Sequence, residues 1–178
     1  MDYTDIVSKG DSYQVQTATL FAPLVAIPTT VAALEVFNNM PGKALIVDDV
    51  FAEQVLSTAA SQTYAIYAMV TTSKAVPTLT ALSLFSNSGK PFITTTASGI
   101  IVTGVGTTVV ANGWRAWGDV QAWGTATATP GNAWSKDING RLIVPFGCSL
   151  CLHVAGALAT ASTFQVGGSF HIETRNVN

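Results

Sequence analysis

Charge is what this chain has least of. Its 178 residues include 8 Lys and Arg against 10 Asp and Glu, so 10% are charged and the formal net charge is −2, where soluble domains carry about 25% charged residues. The area law for monomers gives a chain of this mass about 8,000 Å² of surface, or one charged side chain per ~450 Å². So thin a coat provides little repulsion between copies, and it implies a surface that other subunits cover. No run of Lys or Arg occurs, which removes the electrostatic footprint of nucleic-acid binding. Long apolar runs are missing too. The best, "LFAPLVAIP" over residues 20–28, carries two prolines and falls well short of the ~20 residues a membrane helix needs. The opening "MDYTDIVSKGD" has no basic stretch leading into an apolar one, so no secretory leader is expected. Synthesis in a cytosol, with reduced thiols, is expected instead. Two histidines and no G-x-S-x-G leave nothing from which to build a nucleophilic triad; no catalytic residue, cofactor or enzymatic activity is expected.

What is present is a large stock of apolar and strand-forming residues, 48% hydrophobic with 15 glycines besides. Stretches rich in Val, Ile, Thr, Tyr and Phe recur at 13–22, 43–55, 63–72 and 99–114, separated by Gly, Pro, Asn and Ser. Asn139-Gly140, between "AW" and "RLIVPF", is a hairpin signal because both positions tolerate positive φ. Helical periodicity extends over only two short windows, 31–39 and 51–60, each worth a turn or two of helix. Many short strands with turn residues between them predict one all-β domain, a sandwich or barrel with antiparallel strands and little helix. Residues 1–12 read as an acidic N-terminal arm ordered against another subunit, and 13–178 as the β-domain.

Both cysteines and one histidine fall in "RLIVPFGCSLCLHVAG" (141–156). As a strand, this segment sends Leu150, Leu152 and Val154 to one face and Ser149, Cys151, His153 and Ala155 to the other. The stretch "TFQVGGSFHIE" (163–173) divides in the same way, with Phe164, Val166, Phe170 and Ile172 opposed to Gln165, Ser169, His171 and Glu173. The two segments are expected to pair as a hairpin with one face on the core. Cys148 and Cys151 then point to opposite faces, which excludes a disulfide without a bulge, and no helix start follows to activate a thiol. Cys151, His153, His171 and Glu173 would share the outer face, but no zinc spacing is present. The bland reading, small polar residues on an outer or interface face, is preferred and no metal is expected.

The four tryptophans, Trp114, Trp117, Trp123 and Trp134, crowd into one region. If 114–123 is extended, Arg115, Trp117, Asp119, Gln121 and Trp123 fall on one face. Such a set can be core, a subunit contact, or a platform on which a sugar stacks. Asp48 and Asp49 are adjacent in a predicted strand, so their carboxylates should diverge and not act as an acid–base pair. "DING" lacks the other ligands of a calcium loop, and "GVGTTV" lacks the helix a phosphate-binding turn needs.

The C-terminal third, "NGRLIVPFGCSLCLHVAG" followed by "TFQVGGSFHIE", resembles the closing strands of small jelly-roll virion proteins of bacteriophages, where a strand enters a Pro-x-Gly corner, here Pro145-Phe146-Gly147. "TYAIYAMVTTSKAVPTL" (63–79) is similar to an inner strand of such proteins. The resemblance implies a jelly-roll-like β-sandwich and a virion location: a capsid subunit, a decoration or cement protein, or a fibre head. The expected partners are further copies, with a trimer favoured, and other virion proteins; neither nucleic acid nor membrane is expected. Trp114, Arg115, Trp117 and Trp123 are the expected contact residues. The rival expectations are a carbohydrate-binding sandwich on a host-recognition fibre, using the same tryptophans with Asp119 and Gln121, and an extracellular filament subunit.

Overall fold

A computed structural model describes residues 3–57, 62–72, 84–87, 99–104, 107–123, 132–156 and 162–174, with backbone alone for Tyr3, Ser8, Leu84 and 118–123. One short helix, α1 (Tyr3–Lys9), is followed by β1 (Ser12–Gln16), β2 (Val31–Ala32), β3 (Leu34–Asn38), β4 (Lys43–Ser57), β5 (Gln62–Thr72), β6 (Leu84–Ser86), β7 (Ile100–Thr103), β8 (Thr107–Thr108), β9 (Arg115–Trp123), β10 (Ala133–Asp137), β11 (Ile143–Val144), β12 (Cys148–Gly156) and β13 (Ser162–Thr174). The first sheet has the order β10-β4-β13-β1-β6, with β11 also on β4; the second has the order β7-β3-β12-β5-β9. Every pairing within the sheets is antiparallel.

The pairings are nested. β1 pairs with β13, β3 with β12, β4 with β10 and β11, and β5 with β9. The chain is thus a ribbon doubled on itself, first strand against last, and rolled so that successive strand pairs alternate between two sheets. The lateral pairings β4–β13 and β5–β12 then knit each sheet. That winding is a jelly roll. The long connection from β5 to β9 supplies β6 to the edge of the first sheet beside β1, and β7 to the edge of the second beside β3. One side of the sandwich is therefore extended, and β9 and β10 remain as the edges of the other.

Inward-facing Val15, Leu34, Val36, Leu45, Val47, Val50, Ile66, Leu150, Leu152, Val154, Phe164, Val166 and Phe170 form the core between the sheets. In β4 the inward residues change parity, from Leu45 and Val47 to Val50, Ala52 and Gln54. The cause is a bulge: Ser169 pairs with Asp49 and Phe170 with Val47, leaving Asp48 as the extra residue. At one end of the core Tyr64 Oη lies 2.6 Å from Ser162 Oγ, which donates to Ser57 Oγ at 2.9 Å and accepts from Gln54 Nε2 at 3.2 Å. All four residues are buried, so this polar group is satisfied internally.

The sandwich agrees with the sequence expectation, but several local expectations do not hold. β12 and β13 are not a hairpin; they lie in opposite sheets and meet through Leu150, Leu152, Val154 and Phe164, Val166, Phe170 across the core. Matching parity identified the core-facing sets but does not distinguish pairing from facing. Windows 31–39 and 51–60 are strand wherever they are regular: β2, β3 and the end of β4, with 58–60 outside the described residues. Sheet partners on both sides of β3 override its weak helical period. Asn139 and Gly140 do make a tight turn, with φ of 52° and 71° and Arg141 N bonded to Ile138 O at 3.1 Å. Yet β10 and β11, on either side of it, both pair with β4. The turn is a protrusion in one edge path, with Ile138 N and Asn139 N both bonded to Asp48 O at the bulge.

The segment expected to be an arm folds onto its own chain. Gly10, at φ 79°, ends α1 with Gly10 N on Val7 O and Asp11 N on Ile6 O, the two bonds of a Schellman cap. Ile6 is buried, and Ser12 opens β1 opposite His171.

Tyr64→Phe should lower the unfolding free energy by about 1–2 kcal/mol, because Ser162 loses a buried partner. Urea melts of the two proteins, with equal slopes, check this.

Candidate functional site

The aromatic set singled out in the sequence lies on β9, an edge of the second sheet. Trp117 pairs with Ile66 and is only 6% exposed, within the core. Two guanidiniums flank its ring: Arg115 Cζ at 5.2 Å and Arg141 Cζ at 5.1 Å from the centroid. Arg141 is fixed there by its own bonds to Ile138 O and Asp137 O. The arrangement closes the β9–β10 side of the sandwich, with each cation–π contact worth ~0.5–2 kcal/mol. Trp117 is therefore neither a contact anchor nor a sugar platform; its ring is inside. Trp114 is half-buried, donates Nε1–H to Thr29 O at 2.8 Å, and packs on Ala32, Met69, Val109 and Cys151. Arg115 is exposed. The backbone of 119–123 belongs to β9, but the side chains of Asp119, Gln121 and Trp123 lie outside the described residues.

The face of β12 expected to be outer is buried by the chain itself. Ser149, Cys151 and His153 are 0–4% exposed. The small β2–β8 sheet packs over Cys151, held by Ala33 N to Leu152 O, Val109 N to Thr30 O and Thr71 Oγ1 to Val110 O. Burial, followed by the Glu35 charge, pushes the Cys151 thiol far above its ordinary pKa; burial also raises that of Cys148. Both remain free thiols and are poor nucleophiles at neutral pH. Burial lowers the pKa of His153, whose ring meets Phe21 edge-on at 5.2 Å. Glu35, 3% exposed, accepts from Ser149 Oγ at 2.6 Å and Thr103 Oγ1 at 3.1 Å, so its charge is met by hydroxyls.

His171 and Glu173 lie on the outer face of the other sheet, so the set Cys151, His153, His171 and Glu173 is divided between opposite sides of the molecule. Among the described residues no group of three or more metal-ligating side chains converges. His171 sits instead between two carboxylates, Nδ1 2.8 Å from Asp48 Oδ1 and Nε2 3.3 Å from Glu173 Oε1. Asp48 and Asp49 do not diverge as a regular strand requires, because the bulge turns both outward. Asp49 takes Ser169 N and Oγ while Asp48 takes His171. Burial raises the Asp48 pKa; His171 pulls it down less, and Asp49 and Glu173 push it up. Its Oδ2 is buried without a partner.

Residues 17–31, crossing one end of the sandwich, carry the exposed apolar surface that the sequence reading did not identify. Phe21 exchanges backbone bonds with Phe164 of the first sheet, and Leu24 bonds to Val154 and Gly156 of the second. On either side of these anchors, Leu20, Val25 and Ile27 are 46%, 67% and 62% exposed. Val25 and Ile27 border a groove of about 400 Å³ whose other wall is Thr63, Ala65 and Tyr67 of β5 with Ala155 and Gly156. "LFAPLVAIP" is the stretch that carries it, with Phe21, Pro23 and Pro28 buried and Leu20, Val25 and Ile27 exposed. No helix among the described residues is long and apolar enough to cross a membrane. Compared with known proteins, the chain matches no family model and no curated sequence.

Trp117→Ala should cost about 3–5 kcal/mol and lower Tm by roughly 6–20 °C, measured by calorimetry. The Asp48 carboxyl, held above its ordinary value of 3.8, binds its proton more tightly folded than unfolded. Its contribution to stability is present below that pH and is lost as pH rises through the raised value. Asp48→Asn, which cannot ionise, should therefore gain on the wild type between pH 3 and pH 7, read as a more positive difference in Tm at pH 7.

Proposed function

We propose that the chain is a non-enzymatic structural subunit of a virion that assembles with further copies through apolar contacts. Jelly rolls serve as capsid and as lectin domains, and a fold alone does not choose between functions; the surface has to. The observation that carries the reading is the exposed apolar pair Val25 and Ile27 on the edge of its groove at one end of the sandwich, with Leu20 exposed in the same segment. A chain with 10% charged residues presents it without the charges that keep monomers apart. Leu56, 44% exposed at the end of β4, adds to the exposed apolar surface.

The contact residues in this reading are Val25, Ile27 and Leu20 rather than Trp117 and Trp114, since Trp117 is core and Trp114 is occupied with Thr29. Burial of the rim supplies the gross driving force, about 25 cal/mol per Å² of apolar surface before the entropy of association is subtracted. A trimer or larger ring remains the expected state.

Light scattering on a sizing column should give the wild type a mass at least three times 18.5 kDa. The double substitution Val25→Asp, Ile27→Asp should return it to a single-chain mass with an unchanged circular dichroism spectrum. A wild-type monomer, or an assembly indifferent to both charges, would rule the reading out.

A further inference from the structure

The outer face of the first sheet carries a second feature, independent of assembly. Register places Asp137, Asp49, Ser169, Gln14 and Phe85 in one row across β10, β4, β13, β1 and β6. The neighbouring row is Ser135, Phe51, Gly167 and Gln16. Cross-strand partners share a face, so the two rows lie side by side on the outer surface. Gly167 provides the hollow. A Cβ there would stand 2.5 Å from Phe51 Cζ and 2.2 Å from Val15 O, so only glycine lets the Phe51 ring lie down against the sheet. The result is a cleft of about 370 Å³ bounded by Gln14, Asp49, Phe51, Ser135, Asp137 and Ser169. A second depression of about 260 Å³ adjoins it, sharing Phe51 and Ser135 and bordered by Glu53 and Trp134.

We propose that this cleft binds an uncharged oligosaccharide, with Phe51 as the stacking ring and the polar row as the hydroxyl-binding edge. A half-buried phenyl ring offers an apolar face to the C–H side of a pyranose. Around it the Gln14 amide, Ser135 hydroxyl and Asp137 carboxylate are exposed and have no protein partner among the described residues. They supply donors and acceptors together, the mixture a ring of hydroxyls requires. Asp49, held by Ser169 N and Oγ, is a fixed acceptor beside them. Two depressions joined at one aromatic ring match a chain of sugars better than a single unit. Phe85, 55% exposed at the far end of the row, stands three strand spacings from β4, about 14 Å, and brackets the polar floor with a second ring.

The electrostatics select against the other ligand classes. Asp49, Asp137 and Glu53 repel phosphates, sialic acids and nucleic acid. A cation is disfavoured because both Asp49 oxygens are already engaged and no ligand triad forms among the described residues. The lining is too polar for an aliphatic guest. This site is separate from the tryptophan set on β9, and it stands or falls independently of assembly, since every residue comes from one chain.

The test is saturation-transfer-difference NMR on the full chain with uncharged trisaccharides built from glucose, mannose, galactose and N-acetylglucosamine, and a sialylated trisaccharide as the anionic comparison. At least one uncharged probe should bind, and the sialylated probe should not. Phe51→Ala and Asp137→Ala should each weaken binding tenfold or more, with Arg115→Ala unchanged. Should Phe51→Ala fail to fold, Asp137→Ala, exposed and unpartnered, carries the comparison. Binding by none of the uncharged probes, equal binding of the sialylated one, or binding indifferent to Asp137→Ala would overturn the proposal.

Discussion

The antiparallel pairing of β4 with β13, running from Ser57 opposite Ser162 to Lys43 opposite Thr174, is the constraint on which the rest of the molecule depends. It joins the third strand of the rolled ribbon to its last, and so locks the first sheet around β1 and β10. The ladder has two bulges, at Val55 and at Asp48, and the one at Asp48 sits in the middle of β4. Without the bulge, one end of β4 would present its apolar side chains to water, since a slip of one residue reverses every face. The bulge also determines the chemistry outside. It turns Asp48 and Asp49 outward together, directs one to His171 and the other to Ser169, and receives the Asn139-Gly140 turn on the freed carbonyl of Asp48. A fold requirement thus creates the acidic half of the outer surface.

The two sheets differ in what they show to solvent. The second is covered by its own chain: β2, β8 and Trp114 pack over Met69 and Cys151, which leaves the Cys151 thiol buried, and His153 is buried with its ring against Phe21. The first keeps an open, polar face with a hollow at Gly167. Across one end runs the apolar rim of residues 20–27. Association at that end would leave the outer face of the first sheet free, so a subunit held in place by one surface can present the other.

The sequence disclosed its fold class through composition and parity: β-branched stretches broken by Gly and Pro, and alternation in 148–156 and 163–173 that correctly picked the core sides of both strands. It could not say that these strands face each other rather than pair, because parity is the same in both arrangements. The 31–39 window looked faintly helical and became strand because β7 and β12 bond to both edges of β3. Trp117 was visible as an aromatic, but its contact with Arg141 brings a residue of the turn between β10 and β11 onto β9. The rim was half visible in a proline-bounded apolar run. The Phe51 cleft was invisible, since it depends on Gly167 of one strand pairing opposite Phe51 of another, a register that neither stretch discloses by itself.

One chain completes both sheets, and the proposed association runs through residues 20–31. Hydrogen–deuterium exchange at low and high protein concentration tests this most directly. Slower exchange on association should be confined to 20–31 and the facing stretch 62–67, with the β9 and β10 edges unchanged. Protection that appears along β9 or β10 instead, or none at all, would contradict it.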